Sequence, residues 1–245
     1  TISGGRGLYR RNGAVESVGT TDSNIEDRLD VPKYNGISYR LLDDRDDISS
    51  LSRIYYREPI RYERQTEEFN ILFRAKPMVL EPDKIPFTAA VAHSKDNPSS
   101  DGIAYVLGFK TLEGIFNVIE YAGERSAILG IINAILEETK SHSIFIQIPK
   151  GDSVLINMLE SLGLEGNDSG SGRTIRIVNK EALWRDIYPI IEESWKGKDI
   201  PRALSDLPND VAEDIGLLTS FIFGEMNRSQ YGEEWDRIFP LPLPY

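Results

Sequence analysis

A chain of 245 residues, 40% apolar and 27% charged, has the composition of a globular protein with room for one large domain or two ordinary ones. It has no cysteine, which excludes a disulfide framework, a thiolate metal site and a cysteine nucleophile, and which suits a reducing cytoplasm. A net charge of −11 without a basic stripe argues against a nucleic-acid partner. No apolar run approaches the roughly 20 residues that span a bilayer, so no membrane partner is expected either.

In chain order, SGGRGLYRRNG (3–13) reads as a loop feeding a short helix stopped at Gly13, and AVESVG (14–19) as a strand. TTDSNIEDRLDVPKYNG (20–36) is polar, with Pro and Gly, and predicts a turn-rich connector. ISYRLL (37–42) alternates as a strand should. The acidic run Asp43-Asp44-Arg45-Asp46-Asp47 reads as a solvated helix entry rather than a metal site. ISSLSRIYYREP (48–59) and TEEFNILFRA (66–75) have helical spacing, the first closed by Pro59 and the second opened by a Thr cap. Arg53, Arg57, Arg61 and Arg64 are interleaved with Glu58, Glu63, Glu67 and Glu68, which reads as a salt-bridged surface.

PFTAAVAHS (86–94) and GIAYVLGFK (102–110) read as paired strands, followed by the strand IFNVIEYAG (115–123). ERSAILGIINAILEETKS (124–141) is the clearest amphipathic helix. A strand SIFIQIP (143–149) and a helix GDSVLINMLESLGLE (151–165), closed by Gly163, come next. GNDSGSG (166–172) reads as a flexible loop and TIRIVN (174–179) as a strand. Helices over 181–198, kinked near Pro189, and over 211–226 precede the proline-rich end FPLPLPY (239–245).

The chain also repeats itself. Residues 5–19 and 153–167 each carry a short amphipathic helix closed by glycine, and Gly13 and Gly163 lie one domain length apart. The chain opens at Thr1 without Met and without a leading strand or helix, so a preceding segment is expected to carry part of the chemistry. The order strand, two helices, three strands, helix, strand, helix, strand resembles the GNAT superfamily of N-acetyltransferases. SGGRGLYRRNG resembles the loop and fourth helix of its tandem, enhanced-intracellular-survival-type group, and LLTSFIFG with IFPLPLPY resembles the C-terminal stretch of that group. The resemblance implies a mixed α/β fold: a GNAT-like central mixed sheet flanked by helices, with a small, mainly helical C-terminal extension. Residues 1–35 would be the tail of a first GNAT domain plus a linker, 36–178 a second, degenerate copy, and 179–245 the extension.

That resemblance also implies the chemistry. An acetyl-CoA cofactor needs backbone N–H groups at a helix N-terminus for its pyrophosphate, and acetyl transfer to an amine needs an acid and a base. Tyr9, four residues before Gly13, is the candidate general acid, with packing of its ring against the sheet as the alternative. Arg6, Arg10 and Arg11 are candidates to hold CoA phosphates. The C-terminal carboxylate of Tyr245 is a candidate base. In the second copy Leu159 stands where the acid should be. The cofactor-loop pattern Gln/Arg-x-x-Gly-x-Gly/Ala is matched in Glu120-Tyr121-Ala122-Gly123-Glu124-Arg125 only by Gly123, with Glu120 and Glu124 placing negative charge at the pyrophosphate seat.

The expectation is therefore part of an acetyl-CoA-dependent N-acetyltransferase acting on an amine-bearing small molecule or peptide, its second copy non-catalytic. A non-enzymatic GNAT-like ligand-binding or assembly module is the alternative, and homo-oligomerisation is left open. His93 and His142 stand alone, without HExxH, so no metal is expected. Ser3 and Ser126 lack an elbow motif. Trp184, Trp195 and Trp235 read as packing anchors.

Overall fold

The computed structural model describes residues 14–16, 19–30, 36–42, 49–58, 61, 64–75, 87–96, 102–169, 174–194, 203–224, 226–232 and 235. In order these form β1 (Val15–Glu16), β2 (Thr20–Ile25), β3 (Ile37–Leu42), α1 (Ser49–Tyr55), α2 (Thr66–Ala75), β4 (Phe87–Ser94), β5 (Ala104–Lys110), β6 (Ile115–Gly123) and α3 (Arg125–Thr139). β7 (Ser143–Pro149), α4 (Ser153–Ser161), β8 (Asn167–Ser169), β9 (Thr174–Ile175), α5 (Lys180–Ser194), α6 (Asn209–Glu213) and α7 (Ile215–Phe223) follow. The described chain divides into two compact units. A sheet unit comprises residues 21–148 and 152–168, and a helical unit comprises residues 14–20, 149–151 and 169–235.

The sheet unit is built on seven strands in the order β3-β4-β5-β6-β7-β2-β8. β3 through β6 are antiparallel neighbours, and β6 runs parallel to β7. This is the mixed α/β architecture expected, a mostly antiparallel sheet flanked by helices. Strand alternation sorts the core into two faces. Ala90, Ala92, Ala104 and Val106 join Ile128, Ile131, Ile132 and Ile135 of α3. Ala89, Val91 and Tyr105 join Leu51, Ile54 and Tyr55 of α1 and Phe69 of α2. Gly130 sits inside α3 despite its helix cost of about 1 kcal/mol, because a Cβ there would lie 2.0 Å from the Tyr39 hydroxyl oxygen of β3. At the other end of α3, Lys110 Nζ donates to the carbonyls of Thr139 and Lys140 at 2.8 and 2.9 Å, placing a cation on the helix C-terminus.

A β-bulge matters more for the site. Leu107 pairs with Glu120 but Gly108 pairs with Val118, leaving Ile119 as the extra residue on β6. Phe116 and Val118 face α3 before the bulge and Tyr121 faces it after, so the parity of the strand flips. Ala122, and with it Glu120 two residues earlier, therefore turns toward α1 and α2.

Three sequence expectations fail locally. Residues 20–25, read as connector, form β2, and residues 167–169, read as loop, form β8. Neither has a strand's apolar alternation; β2 is held by its neighbours β7 and β8 and by one deep anchor, Ile25. The single helix expected over 211–226 is two, because the Asp214 carboxylate accepts from Leu217 N at 2.8 Å and caps a new start.

In the helical unit β1 and β9 pair antiparallel, Val15 opposite Ile175. Pro189 lies inside α5 as expected. Trp184 and Trp235 are buried, the latter edge-on to Phe221 at 5.2 Å, as packing anchors should be; Trp195 lies outside the described residues. The buried Arg228 donates to the carbonyls of Phe221 at 2.6 Å, Met226 at 3.0 Å, and Gly224, absorbing acceptors left over at the end of α7.

Candidate functional site

Parallel β6 and β7 pair only over Ile115–Asn117 and Ser143–Phe145. Beyond those three pairs β6 continues to Gly123 and β7 to Pro149 without a shared ladder, so the strands part toward their carboxyl ends. Such a place, just before a helix N-terminus, is where an open α/β sheet receives a ligand. The turn from β6 into α3 is made by Gly123 at φ +97°, where a Cβ would also lie 2.2 Å from the Ile103 carbonyl oxygen. No other residue type fits that turn.

An anion already occupies it. Glu58, in the connection between α1 and α2, accepts from Gly123 N at 2.7 Å. The same carboxylate takes both terminal nitrogens of Arg125, Nη1 at 2.7 Å and Nη2 at 3.0 Å, a bidentate fork. Arg125 Nε donates at 2.8 Å to Asp152, which also accepts from the Tyr121 hydroxyl at 2.9 Å and caps α4 through Leu155 N at 3.2 Å. The Arg125 guanidinium lies 5.3 Å from the Tyr121 ring centroid. Burial alone would lower the Arg125 pKa, but the hydrogen bonds and charges of Glu58 and Asp152 outweigh it and raise it. All three guanidinium nitrogens are thus engaged inside the protein.

A second ionic network lies on the face of α1 and α2. Glu120, 5% exposed, accepts from the Tyr105 hydroxyl at 2.5 Å and from Arg64 Nη1 at 2.9 Å. Arg64 lies over the rings of Tyr55 and Phe69, at 4.7 and 4.9 Å from their centroids. Burial works to lower the Arg64 pKa and the Glu120 charge raises it further. Burial first, and then Glu120, pushes the Tyr105 phenol well above its usual 10.

These networks correct the sequence reading of the turn. Glu120 does not sit at the turn, because the bulge at Ile119 sends it to the other face, where Arg64 and Tyr105 hold it. Glu58 and Arg64, read as members of a surface Arg/Glu run, find their partners in Arg125 and Glu120 instead. Glu124 is exposed and forms the N-cap position of α3 without a side-chain cap bond. The sequence assigns no such partnership to Glu58, Asp152 or Tyr105, since each reaches its network from a distant part of the chain, nor to Tyr121, whose partner Asp152 is 31 residues away. Only the Asp152-Ser153 start of α4 carried a visible cap signal.

Leu159 is 1% exposed and packs in the core beneath α3. His93 lies on β4 opposite Ser38, its pKa lowered by burial and by the Arg40 charge. His142 is exposed beside the end of α3, and its backbone N–H donates to Gly114 O at 3.1 Å. Among the described residues no group of three His, Asp or Glu side chains could hold a metal, and no helix is long and apolar enough to cross a membrane. Tyr9, Arg6, Arg10 and Tyr245 lie outside the described residues.

No protein-family model matches the chain, and no curated protein sequence matches it. Solved structures do. A probable N-acyltransferase from Enterococcus faecalis superposes with a TM-score of 0.53 at 15% identity, covering 74% of this chain and 45% of its own. A GCN5-related N-acetyltransferase from Anabaena variabilis gives a TM-score of 0.50 at 14% identity, covering 71% and 44%. A tandem GNAT protein of the clavulanic acid biosynthesis pathway gives 0.47 at 14%, covering 69% and 57%. The chain spans about half the length of the structures it matches. At such identities the likeness concerns the fold, and the chain has the GNAT-type fold.

Proposed function

We propose that this chain is part of a cytoplasmic, acetyl-CoA-dependent N-acetyltransferase that acetylates an amine-bearing small molecule or peptide, and that its sheet unit is a non-catalytic copy. The GNAT-type fold and the parting of β6 and β7 support the class. One observation carries the second half: the turn before α3 is filled by the chain's own carboxylate. Gly123 N and Arg125 are committed to Glu58, and Asp152 supplies a second negative charge. A pyrophosphate would have to displace Glu58 and then face Asp152 and Glu124 with Arg125 as the cation at the turn, so these residues do not fit acetyl-CoA. Leu159 has no proton to give a leaving thiolate. On this reading the acid is Tyr9 and the base the carboxylate of Tyr245, with Arg6 and Arg10 on CoA phosphates, all outside the copy that the sheet unit represents.

Calorimetric titration of this chain with acetyl-CoA tests the second half. No saturable binding is expected in the sheet unit; a 1:1 site abolished by Arg125→Ala would overturn the proposal. In the complete protein Tyr9→Phe is expected to lower kcat about 100-fold, and an unchanged rate would remove Tyr9 from the mechanism.

The alternative, a non-enzymatic ligand-binding or assembly module, is favoured by one feature of the helical unit. A cleft of about 690 Å³ between α5 and residues 203–213 is walled by Trp184, Tyr188 and Leu204 and edged by Lys180 and Arg185. That volume is in the range of small-molecule sites. Saturable quenching of tryptophan fluorescence by an apolar probe, in a protein that transfers no acetyl group, would favour this reading over the first.

A further inference from the structure

The cleft of the helical unit holds a polar atom that the fold leaves unmatched. Along α5 the rows 180-184-188 and 181-185 lie side by side on one face of the helix, and that face lines the cleft. Residues 203–205, 212 and 213 line it from the other wall. Trp184 is 4% exposed, yet its indole Nε1 has no hydrogen-bond partner. A buried indole N–H ordinarily finds an acceptor, because leaving it unmatched costs about 1–3 kcal/mol. Arg228 of the same unit shows the usual outcome, its buried guanidinium donating to the carbonyls of Phe221, Met226 and Gly224.

The cations at this cleft, by contrast, are already engaged. Lys180 Nζ donates to Ala212 O at 2.9 Å, tying α5 to α6. Arg185 Nε donates to Asp186 Oδ1 at 3.3 Å, with both side chains standing mostly in water. Among the described lining residues these two cations are matched by two exposed carboxylates, Glu181 and Glu213. Such a rim offers no net charge to an ion of either sign, and an ion would give up hydration on entering an apolar cleft.

We propose that the cleft binds an uncharged aryl carbonyl compound, its ring against Trp184, Tyr188 and Leu204 and its oxygen accepting from Trp184 Nε1. Each part of the ligand answers one observation. The apolar walls take the ring, the balanced rim leaves the molecule neutral, and the unmatched N–H supplies the directional contact that fixes its orientation. This deepens the ligand-binding reading of the cleft and rests on it. The site shares no residue with the turn before α3, so it does not depend on whether the complete protein transfers acetyl groups.

Two probes of nearly equal size isolate the oxygen: acetylnaphthalene, which carries it, and ethylnaphthalene, which does not. Their affinities for the full chain are measured by titration calorimetry. Trp184→Phe keeps an aromatic wall and removes the N–H. It is expected to weaken the acetyl probe about tenfold relative to the ethyl probe, a change of about 1.4 kcal/mol. Ala203→Phe, at an exposed position on the other wall, fills the cleft and is expected to weaken both probes at least about tenfold. Naphthoate and naphthylmethylamine, an anion and a cation of similar shape, are expected to bind more weakly than the acetyl probe.

Equal losses for the two probes in Trp184→Phe would overturn the inference and leave the cleft a ligand site. Probes that do not saturate, or that ignore Ala203→Phe, would overturn the ligand-binding reading with it. If Trp184→Phe does not fold, the indole N–H resonances of the three tryptophans decide in the unmodified chain. One is expected to move downfield as the acetyl probe saturates and to stay in place with the ethyl probe; three unmoved signals would overturn the inference. No measurement here involves acetyl-CoA, so its failure is separate from a failure of the catalytic reading.

Discussion

The two ionic networks of the sheet unit grip the same connection, residues 56–65 between α1 and α2, yet they are built differently. Glu58 and Arg125 meet at the rim, with side chains 16% and 21% exposed, and a third group, Asp152, shares the cation. Arg64 and Glu120 meet deeper, with Glu120 closed in by the Tyr105 hydroxyl and the Tyr55 and Phe69 rings around Arg64. The rim network fills a turn where the fold would accept a ligand; the inner one fastens helices to a sheet. The lesson is that a glycine turn and a cation at the start of a helix can both be satisfied from within, by carboxylates the chain itself supplies.

The largest test of that contrast is Glu120→Ala, which leaves a buried guanidinium and a buried phenol without their acceptor. It is expected to cost about 3–4 kcal/mol in urea unfolding. A loss below about 1 kcal/mol would make the inner network no different from a surface pair. Arg125→Ala comes next at about 2–3 kcal/mol, because Glu58 and Asp152 then face each other without a cation. Glu58→Ala is milder, about 1 kcal/mol, since Arg125 keeps Asp152 and Gly123 N turns to water. Adding about 0.5 M salt is expected to shrink the Glu58 effect and leave the Glu120 effect nearly unchanged. Equal salt sensitivity would erase the distinction between rim and interior.

Proton linkage sharpens it further. The Tyr105 phenol is held above 10 in the fold, so above pH 10 the unfolded chain loses this proton first. The folded state then binds more protons, and stability falls as pH rises. Tyr105→Phe is expected to remove that part of the alkaline fall, seen as a flatter stability curve above pH 10. The smallest effect belongs to His93, whose pKa is lowered below 6.5 by burial and the Arg40 charge. Below pH 6.5 the unfolded chain takes up this proton more readily, so stability falls on acidification. His93→Gln should flatten the curve there, and an unchanged slope would show that His93 is as open as in a free chain.

Read alone, the sequence determined the elements with strong periodicity and the architecture they imply. β3 falls where alternation put it, and α3 where its isoleucines recur at three and four, because such a periodicity can be read from the segment alone. It also showed that the turn before α3 lacks the residues of a pyrophosphate loop, and that Leu159 cannot act as an acid. What fills that turn was decided by tertiary structure. Glu58 lies 65 residues from Gly123 and 67 from Arg125, and no local rule distinguishes it from its neighbours in an Arg/Glu run. Glu120 was sent to the opposite face by one extra residue on β6, and such a bulge leaves no mark in periodicity. The strand character of β2 was equally hidden, because it is poor in apolar alternation and takes its place from the partners beside it. Burial patterns belong to a segment and can be read from it; ion pairs and strand partners belong to pairs of segments, and only the folded chain chooses the pair.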